Sequence, residues 1–224
     1  MKRFPTLVVL AALIGIAFLN PPLQGDDWPQ WRGPLGTGYA PDANPPIEFS
    51  DTMNVRWKTA IPGKGHASPI VLDDRIYLMT AVPTDMLVPP DPNEKIDPDK
   101  PDWLPKKPDR IQGFVVLAVD RHTGKIIWQT LVGEKLPNEG GHPTNTFAST
   151  SPITDGKRIF ANFGSNGLYC LDMNGAVLWK KQLGAMETRN HWGEGASPAL
   201  AENTLVVPWD HEGDSFVVAF DAPS

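Results

Sequence analysis

The chain has 224 residues, 26 acidic against 20 basic, a formal charge of −6 and a single cysteine. The acidic balance argues against a nucleic-acid partner, and one cysteine excludes an intrachain disulfide. A hydrophobic content of 41% is enough to build a packed core, so the chain reads as a folded protein and not as a disordered one.

In chain order, residues 1–25 read as a secretory signal, because Lys2 and Arg3 precede a thirteen-residue apolar run at 7–19 that ends in Asn20-Pro21-Pro22. The run is short for a membrane span. Cleavage near Gly25 is expected, giving a periplasmic or secreted protein. An uncleaved anchor is the alternative, and it is the only membrane contact the sequence offers. Residues 26–63 form an N-terminal segment in which Asn54-Val55-Arg56-Trp57-Lys58-Thr59 is expected to be a lone outer strand with its Trp.

Residues 64–131 and 147–184 each read as strand, turn, strand, turn, strand ending in Asp, turn, strand with Trp. The first strands open at Ala67-Ser68-Pro69, Thr150-Ser151-Pro152 and Ala196-Ser197-Pro198, where a proline costs the ladder no donor. Four antiparallel strands in about 45 residues make a propeller blade. Residues 195–224 start a third blade and stop after its third strand. The first blade carries a proline-rich stretch, read as a surface insertion over 82–112, either a solvated loop or a partner-docking or lid segment anchored by Trp103-Leu104.

The outer hairpins repeat most closely. Ala118-Val-Asp120-Arg-His-Thr-Gly124-Lys-Ile-Ile-Trp128 returns as Cys170-Leu-Asp172-Met-Asn-Gly175-Ala-Val-Leu-Trp179. Each Asp can accept hydrogen bonds from turn amides, and each Gly can take the left-handed backbone that closes a hairpin. Asn174-Gly175 predicts a tight two-residue turn in the second copy.

The motif at 118–128 resembles the tryptophan-docking repeat of the pyrroloquinoline-quinone (PQQ) propeller superfamily. That superfamily includes the quinoprotein alcohol dehydrogenases and a non-catalytic scaffold of the outer-membrane β-barrel assembly machinery. Asp27-Trp28-Pro29-Gln30-Trp31-Arg32-Gly33-Pro34 is similar to the start of secreted PQQ-like repeat proteins. The resemblance implies an all-β fold, a partial β-propeller of four-stranded antiparallel blades belonging to an eight-bladed ring. It also implies that Asp120, Gly124, Trp128, Asp172, Gly175 and Trp179 are structural residues, with each Trp packed between neighbouring blades. Either the chain is part of a longer protein, or an open half-ring must cover its edges by self-association.

Chemistry-bearing side chains gather in loops. The inter-blade loop 132–146 carries His142 and Asn145, the inter-blade loop 185–194 carries Asn190, His191, Trp192 and Glu194, and the turn within the third blade carries Asp210, His211, Glu212 and Asp214. These types bind sugars, anions or a metal, but no metal signature such as His-Glu-x-x-His fixes an ion, and no residue is assigned to catalysis. The expected function is a non-catalytic binding or scaffold module with no cofactor, its ligand a protein, a glycan or a small molecule. The resemblance supplies an alternative, a quinoprotein dehydrogenase using PQQ with Ca²⁺, although the vicinal disulfide common in those enzymes cannot form here. A truncated product without independent function is the third reading.

Overall fold

A computed structural model describes residues 27–89, 101 and 104–223. The predicted signal segment, Trp103 and most of the proline-rich stretch lie outside the described residues. Three antiparallel sheets follow one another along the chain. The first contains β1 (Ile70–Leu72), β2 (Arg75–Leu87), β3 (Arg110–Asp120) and β4 (Ile126–Lys135) in that order. The second contains β5 (Ile153–Thr154), β6 (Arg158–Asn162), β7 (Leu168–Asp172) and β8 (Val177–Lys181). The third contains β9 (Ala199–Ala201), β10 (Thr204–Trp209) and β11 (Phe216–Asp221). Four, four and three strands, each a meander, are consecutive blades of a partial β-propeller.

Period-2 alternation explains the stacking, because successive side chains of a strand point to opposite faces. On β7, Tyr169 and Leu171 join a core shared with Tyr77, Phe114 and Val116 of the first blade. Leu168 and Cys170 on the opposite face join Leu205 and Val207 of the third. The middle blade is therefore buried on both faces. Phe160 and Leu205, each fully buried, contribute about 1.5–3 kcal/mol apiece by leaving water.

The same contact recurs at three places, once between the opening segment and the first blade and twice between successive blades. The indole Nε1 of Trp57 donates to the Arg121 carbonyl at 3.0 Å, that of Trp128 to the Met173 carbonyl at 3.2 Å, and that of Trp179 to the Ala222 carbonyl at 3.3 Å. Each acceptor is the residue after a strand-ending Asp. Two residues beyond the first two Trp, Thr59 and Thr130 donate to the carbonyls of Gly124 (2.6 Å) and Gly175 (2.7 Å). Gly124 and Gly175 have φ of +72° and +88°, and a Cβ on either would lie 2.5–2.8 Å from indole carbons of Trp57 or Trp128. Glycine is thus required twice over, by the left-handed backbone and by the ring lying on it.

The turns themselves are held by their Asp residues. Asp120 Oδ1 accepts from the amides of His122 and Thr123 and from the Thr123 hydroxyl, and these bonds hold its carboxyl below the ordinary range. Asp172 Oδ1 accepts from the amides of Asn174 and Ala176.

Three expectations change in detail. The second turn has three residues, not two: the Asp172 amide donates to the Ala176 carbonyl, and the ladder slips between Cys170 and Leu171. A three-residue turn ending in a left-handed Gly with a bulge beside it matches the strand twist as well as the two-residue form does. Trp57 lies in an extended stretch outside any strand, although its ring docks as the outer-strand Trp residues do. The paired part of the first blade also reaches into the proline-rich stretch, because β2 continues through Pro83, opposite Gln112, to Leu87, opposite Arg110. Pro83 is accommodated where the register is about to shift.

The opening segment caps the inner strands. Trp28 exchanges both backbone hydrogen bonds with Val71 of β1, Pro29 accepts from Thr154 of β5, and Asp27 Oδ1 accepts from the Asp73 amide at 2.8 Å. It thereby ties the innermost edges of the first two blades together.

Candidate ligand-binding site

Loops leading into innermost strands emerge at one end of the blades, and there residues from 137 to 150, the turn between β6 and β7, Gly193 and Glu194, and the wall of Gly63, Lys64 and Ala81 to Pro83 enclose a cavity of about 670 Å³. Of the residues singled out in the sequence, His142, Asn145 and Glu194 line it, together with Gln112, Glu139 and Asn166.

The loops are stitched by hydrogen bonds. The Trp192 carbonyl accepts from the His142 amide at 3.1 Å and from Asn145 Nδ2 at 2.8 Å. Glu139, buried, accepts from the Thr188 amide (3.1 Å), the Thr188 hydroxyl and His191 Nδ1 (3.1 Å). Glu194 reaches across to the β6–β7 turn, where Oε2 accepts from the Ser165 amide at 2.7 Å and Oε1 from the Ser165 hydroxyl. The same hydroxyl oxygen accepts from the Met186 amide at 2.7 Å. Burial pushes the Glu194 carboxyl above its ordinary range, helped by the neighbouring Glu139 charge and opposed by the Ser165 bonds and Lys135.

The amide of Asn166 sits at the side of this cavity. Its Nδ2 donates to the Phe163 carbonyl at 3.3 Å, but its buried Oδ1 has no donor among the described residues. An unsatisfied buried acceptor costs about 1–3 kcal/mol, so a donor delivered there by a ligand or a water would be welcome.

The other predicted residues are placed differently. Asn190 and His191 occupy a strained turn with φ of 55° and 53°. His191 is spent on Glu139, and Asn190 does not line the cavity. Trp192 stands at the rim with its ring edge-on to His142, centroids 6.0 Å apart. Asp210, His211, Glu212 and Asp214 lie in the loop between β10 and β11, outside the cavity lining. There His211 Nδ1 accepts from the amides of Glu187 and Gly213, and Asp210 accepts from Ser215, so these side chains shape a turn. Glu139, Ser165 and Asn166 do not stand out in the sequence: Glu139 lies just before the Gly-Gly-His run, and Gly164-Ser165-Asn166-Gly167 has the composition of a plain turn.

The sequence profile of a PQQ-repeat family described as outer membrane protein assembly factor BamB matches residues 49–224. The chain belongs to that family. No curated protein sequence matches it. Among solved structures, BamB from Moraxella catarrhalis is similar at 15% identity and a TM-score of 0.45, over 76% of this chain and 41% of that one. Europium-containing methanol dehydrogenase is similar at 16% identity and a TM-score of 0.43, over 75% and 24%. The quinohemoprotein alcohol dehydrogenase from Comamonas testosteroni is similar at 15% and 0.39, over 72% and 20%. The match therefore spans less than half the length of each of these proteins.

Some members of the superfamily hold PQQ beside Ca²⁺, an ion that needs six to eight oxygen ligands, carboxylates prominent among them. Among the described residues no three His, Cys, Asp or Glu side chains converge on a point, and the two carboxylates present accept from Ser165, Thr188 and His191.

Proposed function

We propose that this PQQ-repeat chain is a periplasmic or secreted, non-catalytic binding module whose ligand enters the cavity between the inter-blade loops. The observation that carries this reading is the use made of the acids. Glu139 and Glu194 hold loops to one another through Ser165, Thr188 and His191, which builds a preformed recess. A catalytic carboxylate would instead need its proton or lone pair aimed at a reacting atom. His142 Nδ1 lies 2.8 Å from the Thr144 hydroxyl and 3.2 Å from the Thr144 amide, so the ring is held in place by its own loop. Secretion rests on the charge-then-apolar layout of residues 1–25.

The test is calorimetric titration of the full chain with PQQ and Ca²⁺, alongside a dye-linked alcohol oxidation assay. No stoichiometric heat and no turnover are expected. Tight one-to-one PQQ binding with alcohol-dependent dye reduction would replace this reading with the quinoprotein one.

A further inference from the structure

At the rim of the cavity an aromatic ring is held in the open. Trp192 is 46% exposed, and a second, shallower hollow of about 400 Å³ is lined by His142, Thr144, Asn145, Trp192 and Gly193. It shares His142, Asn145 and Gly193 with the main cavity, so the two adjoin.

The indole is also pre-positioned. The backbone before it runs through two successive non-glycine residues in the left-handed region, Asn190 and His191, a conformation that persists only where surrounding contacts enforce it. Here they do: Glu139 grips Thr188 and His191 on one side, while His142 and Asn145 donate to the Trp192 carbonyl on the other. Rigid, exposed aromatics flanked by polar groups lower the ordering cost of binding.

The ligand must suit both halves of the cleft. The rim offers a flat apolar face. The interior offers acceptors: the second lone pair on each oxygen of Glu194, which takes one bond apiece from Ser165, and the Asn166 Oδ1 that lacks a donor among the described residues. An anion would meet the carboxylates of Glu139 and Glu194 against the single cation Lys64 in the lining, and a wholly apolar molecule would leave the Asn166 acceptor without a donor. A pyranose ring has an apolar C–H face and a periphery of hydroxyl donors. Resting on the binding-module reading above, we propose that the cleft takes a neutral saccharide, one ring stacked on Trp192 beside His142, with hydroxyls of the next ring directed to the acceptors of the cavity. Asn145 is a positioning residue, since both Nδ2 contacts and the Oδ1 contact are made within the loops.

The experiment titrates the full chain with cellotriose, chitotriose and the fully deacetylated glucosamine trimer by calorimetry, with PQQ plus Ca²⁺ run in parallel. One-to-one binding of a neutral trisaccharide is expected, weakened about tenfold or more by Trp192→Ala, largely kept by Trp192→Phe, and unchanged by Trp31→Ala at the opening segment. Thermal melts of the variants confirm folding. Absence of neutral-saccharide binding overturns the proposal, as does binding that Trp192→Ala leaves intact. Binding of the amino trimer alone overturns it too, since the cavity would then select a cation. If neither saccharide nor PQQ binds, only the saccharide proposal fails; if PQQ binds tightly, the module reading fails with it.

Discussion

Replacing Gly175 by Ala tests the contact that joins the first two blades. Two costs add at this position. The backbone at φ +88° disfavours any Cβ, by about 1–2 kcal/mol. The new methyl would also lie 2.7 Å from Trp128 Cε3 and 2.9 Å from Thr130 Oγ1, forcing the ring off its seat, an overpacking cost of about 1–3 kcal/mol. The expected loss is therefore about 2–5 kcal/mol, the sum of those two ranges. Gly156 supplies the control, because its φ of +83° is similar and nothing lies within 4 Å of the position a methyl would take there. Gly156→Ala should show the backbone cost alone. Urea unfolding followed by far-UV circular dichroism gives both values from midpoint shifts at constant slope. Equal losses at the two glycines would refute the idea that the Trp128 ring enforces Gly175. A third variant sharpens the point: Gly175→Ala combined with Trp128→Ala should lose less than the sum of the single changes, since the clash vanishes with the ring.

Trp179→Ala removes an indole packed on the core between the second and third blades, with a bond to Ala222. Because the ring is only partly buried, about 3 kcal/mol is expected, and a loss below about 1 kcal/mol in urea titration would contradict the packing role. Glu194 holds its proton to higher pH when folded than when unfolded. As pH rises from the ordinary carboxylate range through the folded pKa, the unfolded chain ionises first and stability falls; acidification across the same window restores it. Glu194→Gln should flatten this trend, and urea midpoints between about pH 4 and pH 7 that move identically in both proteins would refute it. Cys170 is fully buried, and burial pushes its thiol up to about 12. It should resist a disulfide-exchange reagent at neutral pH until urea exposes it, and prompt labelling of the native chain would show that the middle blade is not closed.

The parts of this fold legible in the residues are those whose physics is local. Asp120 and Asp172 cap turns, Gly124 and Gly175 close them, and the Ser-Pro pairs open inner strands, all through neighbours a few positions away. The exact turn length at Asn174-Gly175 was not legible, since two solutions fit the same strand twist and the bulge after Cys170 decides between them. Pro83 argued for a break, but pairing across the long β2–β3 hairpin outweighed one missing donor. At the site, His142, Asn145 and Glu194 stood out by residue type. Glu139, Ser165 and Asn166 did not, because their roles arise only when two blades stack and bring positions 29 and 49 residues apart into hydrogen-bond range. Asp210 to Asp214 looked equally rich in chemistry, yet Asp210 is held within its own turn and His211 ties that turn to the loop at Glu187.

The indole-to-carbonyl links each reach only the blade that follows in the chain, from the opening segment to the first, from the first to the second and from the second to the third. Cohesion is accordingly a nearest-neighbour property, as in a one-dimensional lattice, and among the described residues the second blade is the only complete sheet with another sheet packed on either face. Melting should start at the outer sheets and move inward, leaving the amides of β6 and β7 as the last to exchange with solvent deuterium.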